Sequence, residues 1–491
     1  MAIKYLNQDK SIMTRSDGRK IELLWGDRVR VISINGAEAT VHARGYDGTI
    51  DSSALGDESL LEFYFIDVGQ GDGVLIRTPD DRHILIDGGF NRSDQPTGKN
   101  AADFVDWKFH EDYEMQNIEL DAMMVSHNDA DHYGGLWDLL NPNPAARREL
   151  DCQGVSVEDF YHAGLGWWQK PTGSRWLGTY ETVAGEKFFT QVMSDRASLE
   201  DAVNNSVPQG FAGEWGQFMA SVSAAVRRDG TPTAIHRLSN LSGFVLGFAP
   251  AASNVSLKVL GPVEHDVAGK PGIRRLSSAD SINTNGCSIL LRADYGKVRM
   301  ILTGDLNSLS QKDLLKEYQG QVLEFACDVA KACHHGSEDV SFKFLQALQP
   351  AATIISSGDS NGHDHPRPST VGASAVTGFL EIDSVTDRLI SPLIYSTEIA
   401  RSVDIKRPEK LWAVVNDAST VEISGTKLDK SEIGYKKNGE LRRKRLNDKT
   451  RIVAGLVYGL VNVRTNGDKI LFATLNEVES TWDIKVLNSR F

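Results

Sequence analysis

The sequence predicts an α/β fold, and this prediction depends on three observations. Short apolar runs that are typical of buried strands recur at Phe63–Ile66, His83–Ile86 and Val329–Cys333. Each of these runs leads directly into a group of polar residues and glycines. A further run ends at Val125, and the sequence after it has the character of a helix start at Leu136–Leu140. Because α/β sheets bind ligands at the carboxyl ends of their strands, we expect the functional site there.

The segment Ser126–Gly135 is the most informative stretch of the chain. It places two histidines and two carboxylates within six residues, His127, Asp129, Asp131 and His132. Histidine nitrogen and carboxylate oxygen are suitable ligands for zinc or manganese. The spacing therefore predicts a divalent metal site on a tight loop between a strand and a helix. A capping loop that is merely rich in aspartate and histidine is the alternative.

This segment resembles the signature of the metallo-β-lactamase superfamily, His-x-His-x-Asp-His, with Asp129 in place of the second histidine. The variant, followed by Gly134 and Gly135, is similar to the branch that contains the metallohydrolase domain of the ComEC/Rec2 competence proteins and the choline-phosphate esterases of cell walls. The upstream sequence Phe-Ile-Asp-Val-Gly-Gln-Gly-Asp at 65–72 resembles the opening motif of the same branch. The resemblance implies that Asp67 and Asp87 orient metal-binding histidines or loop amides.

Further motifs follow in the order that the resemblance implies. A strand that ends in Thr-Gly-Asp at 303–305 resembles the superfamily motif whose aspartate bridges two metals, so Asp305 is the expected bridging ligand. Many members carry another histidine ligand upstream of this aspartate, but the segment 281–289 contains none. Asn285 or Ser288 is expected to take its place. We interpret Asn283–Leu291 as sheet-like sequence.

Two adjacent histidines, His334 and His335, follow an apolar strand in a His-His-Gly-Ser motif that resembles this branch. Successive side chains on an extended chain point in opposite directions, so we expect the two histidines to have different roles. His335 is assigned as a metal ligand, and His334 as the group that contacts the substrate oxyanion or donates a proton to the leaving group, with exchanged roles as the alternative. His365, before Pro366, matches the branch's Gly-His-Pro motif and is assigned to catalysis, while the nearby His363 is left without a role.

The motifs cover about residues 61–370, and together they imply a four-layer αβ/βα metallo-β-lactamase sandwich. The implied cofactor is two divalent metal ions, Zn²⁺ or Mn²⁺. The resemblance also implies hydrolysis by a metal-bound hydroxide, because coordination lowers the pKa of water to roughly 7. Asp131 is assigned to both binding and catalysis. The full set of predicted metal ligands is His127, Asp129, Asp131, His132, Asp305 and His335.

We predict two domains. Residues 1–60 carry alternating polar and apolar residues around the hairpin signal Asn35–Gly36 and resemble a small SH3-like β unit, which is either a structural cap or a module that binds a protein partner. Residues 61–491 form the hydrolase domain. Its insertion at about 150–255 is rich in tryptophan, which either stacks on a substrate base or forms a core of its own. A hairpin at 459–474 is expected to close the second sheet.

A basic segment lies at about 427–451, with ten Lys or Arg and four Asp or Glu in a chain whose net charge is −13. It is expected either to contact phosphates or to be a solvated loop. The candidate phosphate contacts are Arg442, Arg443, Lys444 and Arg445.

Composition excludes several classes of protein. The net charge of −13 argues against a protein that coats nucleic acid through general basicity. The four cysteines form no CxxC pair, which is typical of reduced cysteines rather than of a thiolate zinc site. The first ten residues lack the apolar core of a signal peptide, and there is no run of eighteen apolar residues. We therefore predict a cytoplasmic protein without a membrane partner, and leave its oligomeric state open.

The function predicted from these features is metal-dependent hydrolysis. A phosphodiesterase or nuclease with DNA or RNA as substrate is the leading hypothesis. Two alternatives remain. The first is a hydrolase of a small ester, such as a choline-phosphate ester, a lactone or a thioester. The second is a metal-binding scaffold within a defence or competence complex.

Overall fold

The computed structural model describes residues 2–95, 98–143, 147–204, 210–358, 363, 365–405, 410–416, 419–424, 431–435, 441–445, 450–456, 459–476 and 480–491. Between 399 and 456 only the course of the backbone is described. Among all the residues that the structure describes, no helix is both long and apolar enough to cross a membrane.

The first 56 residues form a seven-stranded antiparallel sheet with the strand order β3-β2-β6-β5-β4-β1-β7. Side chains alternate between the two faces of each strand, and the inward ones, among them Met13, Leu23, Val29 and Val41, make a core of their own. The strands are β1 (Ala2–Leu6), β2 (Lys10–Arg15), β3 (Lys20–Leu24), β4 (Arg28–Asn35), β5 (Glu38–Ala43), β6 (Tyr46–Asp51) and β7 (Leu55–Gly56).

The next part of the chain builds most of the first large sheet. Strands of this region are buried on both faces, as expected for a sheet that is covered on both sides. The elements are β8 (Leu61–Phe65), β9 (Val74–Arg77), β10 (His83–Ile86), α1 (Ala101–Trp107), β11 (Asn117–Val125), α2 (Ala130–Leu140) and β12 (Gly154–His162). Helices α1 and α2 pack on this sheet through Val105 and Leu136.

The predicted insertion at about 150–255 includes β12, and several of its aromatic residues are buried. Trp167, Trp215 and Phe218 belong to the main hydrophobic core, so they serve packing rather than exposed stacking. The indole Nε1 of Trp167 also donates to the carbonyl of Asn128, at 2.7 Å, which ties the insertion to the predicted metal-binding segment. The elements after β12 are β13 (Trp168–Gln169), β14 (Arg175–Trp176), β15 (Tyr180–Val183), β16 (Glu186–Phe189), α3 (Arg196–Asn204), α4 (Gly213–Ala224) and β17 (Ala234–Arg237).

A second large sheet has the strand order β18-β21-β22-β23-β24-β27. The elements of this region are β18 (Val255–Gly261), β19 (Glu264–Val267), β20 (Lys270–Arg274), α5 (Asp280–Gly286), β21 (Leu290–Tyr295), β22 (Val298–Leu302), α6 (Ser308–Glu317), β23 (Val329–Lys331), α7 (Phe342–Leu348), β24 (Ala352–Ile355), α8 (Pro368–Thr377), β25 (Glu381–Asp383), β26 (Arg388–Ser391) and β27 (Leu393–Ser396). The interpretation of Asn283–Leu291 as sheet-like is wrong for all but its last two residues, because Asp280–Gly286 is helical and the strand begins at Leu290.

The two sheets pack face to face, with helices outside them. Met124 of the first sheet and Leu291 of the second belong to one core and line the same small cavity. A second apolar cluster, which includes Ile301, Leu314 and Phe344, fills the space between the second sheet and helices α6 and α7. The layers are therefore helix, sheet, sheet and helix, so the α/β sandwich predicted from the sequence is confirmed.

A separate compact unit consists of residues Asp359–Asp364 and Ala400–Leu456. Its strands pair in three ribbons, β28 with β33, β29 with β30 and β31 with β32. They are β28 (Ile399–Ile405), β29 (Lys410–Asn416), β30 (Ser419–Ser424), β31 (Ser431–Tyr435), β32 (Leu441–Arg445) and β33 (Thr450–Leu456). The side chains of the predicted phosphate contacts, Arg442, Arg443, Lys444 and Arg445, lie outside the described residues, so their role stays a prediction.

The last three strands are β34 (Val461–Thr465), β35 (Lys469–Asn476) and β36 (Thr481–Asn488). The predicted hairpin is present, but the expectation that it closes the second sheet is wrong. Strand β34 pairs antiparallel with β8, Val463 opposite Phe63, and so extends the first sheet. The resulting order of nine strands is β17-β12-β11-β10-β9-β8-β34-β35-β36. A hairpin pattern specifies pairing between neighbours but does not specify which sheet edge receives it.

Candidate metal centre

The predicted metal-binding segment spans a loop and a helix. Strand β11 ends at Val125, the loop carries His127 and Asp129, and α2 begins at Ala130. Asp131 and His132 therefore lie in the first helical turn. The sequence had predicted that they lie on the loop.

The paired glycines explain this early helix start. A Cβ atom on Gly134 would lie 2.1 Å from the backbone nitrogen of Asn91, and one on Gly135 would lie 2.2 Å from the carbonyl oxygen of Gly88. The glycines thus allow α2 to pack directly on the loop after β10, and that loop carries Asp87. Their role is to permit this close backbone approach.

Three buried histidines converge on one carboxylate. The Oδ2 atom of Asp305 lies 3.4 Å from Nε2 of His132 and 3.1 Å from Nε2 of His335. His127 stacks beside His132, with ring centroids 4.0 Å apart. Asp131 lies at the outer side of this group, with its Oδ2 atom 3.5 Å from Nε2 of His335. The sequence motifs at 127–132, 305 and 335 are thereby brought to one place.

This arrangement fits a divalent metal. The Nε2 atoms of His127, His132 and His335 are buried, and none of them forms a hydrogen bond with a residue that the structure describes. Buried polar atoms normally have a hydrogen-bond partner. Three buried nitrogens without one, all facing carboxylates, therefore indicate a cation site. Ligand atoms within 4.8 Å of one another define overlapping groups, including His127–His132–Asp305 and Asp131–His132–His335. Nitrogen and carboxylate oxygen suit zinc or manganese.

Asp87 orients the central histidine. Its Oδ2 atom lies 2.8 Å from Nδ1 of His132, and its Oδ1 atom accepts a hydrogen bond from the amide of Ser126, at 2.7 Å. Nε2 of His132 is therefore the nitrogen that faces the candidate metal position. Asp67 lies elsewhere in its motif, where its carboxylate accepts a hydrogen bond from the amide of Gly69, at 3.1 Å. This is the loop-amide contact that the resemblance implied as one of the two roles of Asp67.

Two further residues belong to the site: Asp72, which ends the opening motif at 65–72, and Lys331, which was not predicted. Asp72 is buried, with Oδ1 3.3 Å from Nδ1 of His335, and its other oxygen contacts the ammonium of Lys331. Lys331 is also buried, donates to the carbonyl of Gly304 at 3.0 Å and lies 3.9 Å from Oδ1 of Asp305. The available signal was a single charged residue within the apolar strand Val329–Lys331, because a lysine is almost never buried without a partner.

The charges at the centre act on the inner histidines. Burial alone would lower the pKa of His132, but the carboxylates of Asp305 and Asp87 outweigh it and hold that pKa well above its usual range. The pKa of His335 is raised in the same way by Asp305 and Asp72 against the effect of burial. The carboxylates therefore favour positive charge where the ligand atoms converge, as a cation site requires.

His334 and His335 differ in exposure. The sequence predicted different roles for them from the alternation of an extended chain, but the cause of the difference in exposure is another. The strand ends at Lys331, and both histidines have left-handed backbone angles, φ 47° and 53°, so the argument from an extended chain does not apply. The turn directs the His335 side chain inward, where it is 1% exposed, and leaves that of His334 27% exposed. His365 is also buried here, its ring 5.6 Å from that of His334, whereas His363 is exposed.

Asn285 and Ser288 both border the site, as expected for the segment without a histidine. The Asn285 amide, with its oxygen and nitrogen assigned by hydrogen bonding, accepts from Nε2 of His334 at 3.2 Å and donates to Oδ2 of Asp129 at 3.1 Å. The hydroxyl of Ser288 accepts from the amide of Asp305 at 2.9 Å. Burial, together with the neighbouring Asp131, raises the pKa of Asp129 to about 7.

Comparison with known proteins agrees with this geometry. The sequence profile of the metallo-β-lactamase superfamily matches residues 66–162, which include the loop and helix that carry His127, Asp129, Asp131 and His132. Over these residues the chain is similar to the metallo-β-lactamase superfamily.

Two competence-related proteins are similar to part of the chain. It is 34% identical over 88 residues to ComE operon protein 3 of Bacillus subtilis, which is 18% of this chain and 11% of that protein. It is 34% identical over 93 residues to competence protein ComA of Neisseria gonorrhoeae, which is 19% of this chain and 13% of that protein. The chain thus matches little more than a tenth of either relative. A crystal structure of a metal-dependent hydrolase of the β-lactamase superfamily is similar with a TM-score of 0.32 and 13% identity, over 68% of this chain and 95% of that chain.

Proposed function

We propose that this protein is a phosphodiesterase that uses two divalent ions, Zn²⁺ or Mn²⁺, and that its substrate is nucleic acid. The observation that carries the proposal is that two ligand groups, His127–His132–Asp305 and Asp72–Asp305–His335, share the carboxylate of Asp305, whose two oxygens can serve two ions. Two adjacent ions suit phosphodiesters, because they can act on both the attacking and the leaving oxygen of a displacement. When bound, they would supply an activated water and neutralise the charge that develops on the phosphoryl group.

The protein's own groups support this chemistry. Asp129 and Asp72 make the site rich in carboxylate, which favours harder ions such as Mn²⁺ alongside Zn²⁺. His334 is partly exposed, with Nε2 3.8 Å from Oδ2 of Asp305. Its Nε2–H donates to the oxygen of Asn285 at 3.2 Å, and a substrate oxyanion or leaving oxygen that takes the place of Asn285 would accept this hydrogen bond or the proton. The similarity to a protein named for competence supports nucleic acid as the substrate.

The proposal is tested with the metal-loaded protein on four substrates: plasmid DNA, single-stranded DNA, RNA and bis-p-nitrophenyl phosphate. The Asp305→Ala variant is the control for contaminating nucleases. Metal-dependent cleavage that is absent from the variant supports the proposal. Hydrolysis of lactones or thioesters without any phosphodiester cleavage would replace it with a small-ester hydrolase. Tight metal binding without hydrolysis of any substrate would favour a scaffold.

A further inference from the structure

A cleft of about 860 Å³ lies away from the candidate metal centre, between the N-terminal sheet and the outer strands of the first sheet. One wall is formed by β2, β3 and the start of β6, and the other by α1, β8 and the hairpin of β34–β36. The volume is within the roughly 300–1,000 Å³ of ordinary small-ligand sites. No residue of the candidate metal centre lines it.

The cleft is basic within an acidic protein. Its lining contains seven Lys or Arg and three Asp or Glu, whereas the chain as a whole has a net charge of −13. On the floor, the single carboxylate of Asp27 is shared by the guanidinium groups of Arg44 and Arg464, each at 2.6 Å. The buried carboxylate of Glu62 also acts on Arg464, so the floor of the cleft is a network of paired charges.

The rim adds cations that reach solvent. Arg19 and Lys20 follow β2 on one wall, where Arg19 lies 3.8 Å from Asp17, and Lys99 precedes α1 on the other wall, where it lies 2.9 Å from Asp103. Lys20 is exposed, and its ammonium forms no hydrogen bond or ion pair with any residue that the structure describes. A lysine held at the mouth of a basic cleft without a carboxylate partner is suited to an anionic ligand.

Aromatic rings complete the lining. From the floor outward, the rings of Tyr64 and Phe104 are 5.6 Å apart and those of Phe104 and Trp107 are 6.1 Å apart. The run ends at Trp107, which is 38% exposed. On the opposite wall Tyr46 is 43% exposed, and the guanidinium of Arg15 stacks 3.7 Å from its ring centroid.

Flat rings beside cations identify the ligand class. Phosphate or an acidic peptide would use the cations but gives the exposed rings no partner, whereas a nucleotide satisfies both through its base and its phosphate. We propose that this cleft is a nucleotide-binding site, with the base against Trp107 and the phosphate at the cationic rim. The nucleotide is either free or part of a single strand, and the binding does not depend on the hydrolytic activity proposed above.

The test is a titration of the full, metal-loaded protein with two probes that contain no cleavable phosphodiester. AMP represents a free nucleotide, and a phosphorothioate thymidine octamer represents a single strand. Trp107→Ala is expected to weaken binding roughly 5- to 150-fold, the loss of one stacked base. Lys20→Glu is expected to weaken binding and to reduce its dependence on salt concentration. Both residues are exposed, so the variants should remain folded.

Matched controls come from outside the cleft. Tyr180→Ala removes a ring that is 40% exposed, and Lys312→Glu makes the same charge change on α6. Both controls should bind like the wild-type protein, and so should His127→Ala in the candidate metal centre. Binding of AMP with this pattern assigns the cleft to free nucleotides, and binding of the octamer alone assigns it to a strand.

Three results would overturn the proposal. The first is no binding of either probe at millimolar concentration. The second is binding that the two cleft variants leave unchanged, or that His127→Ala alone removes, because the probes would then occupy the metal centre. The third is binding of inorganic phosphate or hexaglutamate by a cleft that takes neither nucleotide probe, since this would identify a general anion site or a peptide site.

Discussion

Nδ1 of His132 lies 2.8 Å from Oδ2 of Asp87, and this contact decides which face of the imidazole is available. Because Asp87 accepts a hydrogen bond from Nδ1–H of His132, Nε2 is left as the ligand atom. Asp87→Asn preserves the shape and removes the charge. We expect it to weaken Zn²⁺ or Mn²⁺ binding about 10- to 100-fold, the usual effect of losing such a partner. Competition with a chelator of known affinity measures this, and Asp94→Asn, an exposed aspartate, is the control. An unchanged affinity would contradict the orienting role.

Asp305→Ala is expected to abolish hydrolysis and lower the metal content. Its Oδ2 atom is approached by three histidine nitrogens, and no other described carboxylate occupies that position. Elemental analysis and an activity assay on bis-p-nitrophenyl phosphate check this, with circular dichroism as the measure of folding. A folded variant with near-normal turnover would show that Asp305 is not a ligand.

His334 and His335 should separate by phenotype. The buried His335 is expected to be required for metal binding, so His335→Ala should come out metal-depleted. His334→Ala should keep its metal and lose roughly 10²- to 10⁴-fold in rate, the range for one general acid. That loss should be smaller on a nitrophenyl substrate, whose leaving group needs no proton. If His334→Ala is the metal-depleted variant, the two roles must be exchanged.

Lys331→Met should destabilise the metal-free protein more than the metal-loaded one. Without the ammonium, the carboxylates of Asp72 and Asp305 remain buried close together, and breaking a buried pair costs about 3–5 kcal/mol. Bound metal would replace that missing positive charge. Thermal unfolding with EDTA and with Zn²⁺ measures the difference. The control is Lys258→Met, in which a partly exposed lysine loses its contact with Glu324 at 2.7 Å. The free energy of unfolding of the control should change by less than about 1 kcal/mol in both the metal-free and the metal-loaded state. Equal losses in the two states of Lys331→Met would show that its charge does not act on the metal position.

The burial of His83 should make the stability of the protein depend on pH, independently of the metal. Burial between Phe109 and Tyr113 lowers the pKa of His83 to about 3. In the unfolded chain the pKa is about 6.5. Since the folded pKa is depressed, its contribution is complete above pH 6.5 and is lost as the pH falls toward 3. Between pH 6.5 and 5 the loss is about 1.5 kcal/mol, and His83→Phe should remove it. Urea unfolding at the two pH values measures the slope, and an unchanged slope would contradict the assignment.

The histidine and aspartate motifs were visible in the sequence because they are short, ordered and separated by strand-like runs. The structure adds what spacing cannot contain. Gly134 and Gly135 follow the metal-binding motif in the sequence, but the reason that glycine is needed there, the approach of the Gly88 carbonyl, is seen only in the structure. Lys331 appeared as one polar residue in an apolar strand, and its partners come from distant parts of the sequence. Long-range partners of this kind are set by sheet topology, which local pattern does not specify.

The hairpin of β34 and β35 was recognised, but its position was not, for the same reason. Its strands have alternating apolar residues that would suit either sheet. Two contacts favour the first sheet. The buried side-chain amide of Asn462 donates to the carbonyl of Phe63 at 3.0 Å, and Arg464 forms an ion pair with Asp27. Neither contact could be inferred from residues adjacent in sequence.

The pairing of β34 with β8 has a consequence for synthesis of the chain. Asn462 and Phe63 are 399 residues apart, so the ribosome adds nearly the whole protein between the two partners. At roughly 5–20 residues per second this takes about 20–80 s. Throughout that time one edge of β8, with Phe63 and Phe65, has no neighbour. An unpaired apolar strand edge invites intermolecular pairing, so the nascent protein needs either a chaperone or the N-terminal sheet to cover it until translation has passed Thr465.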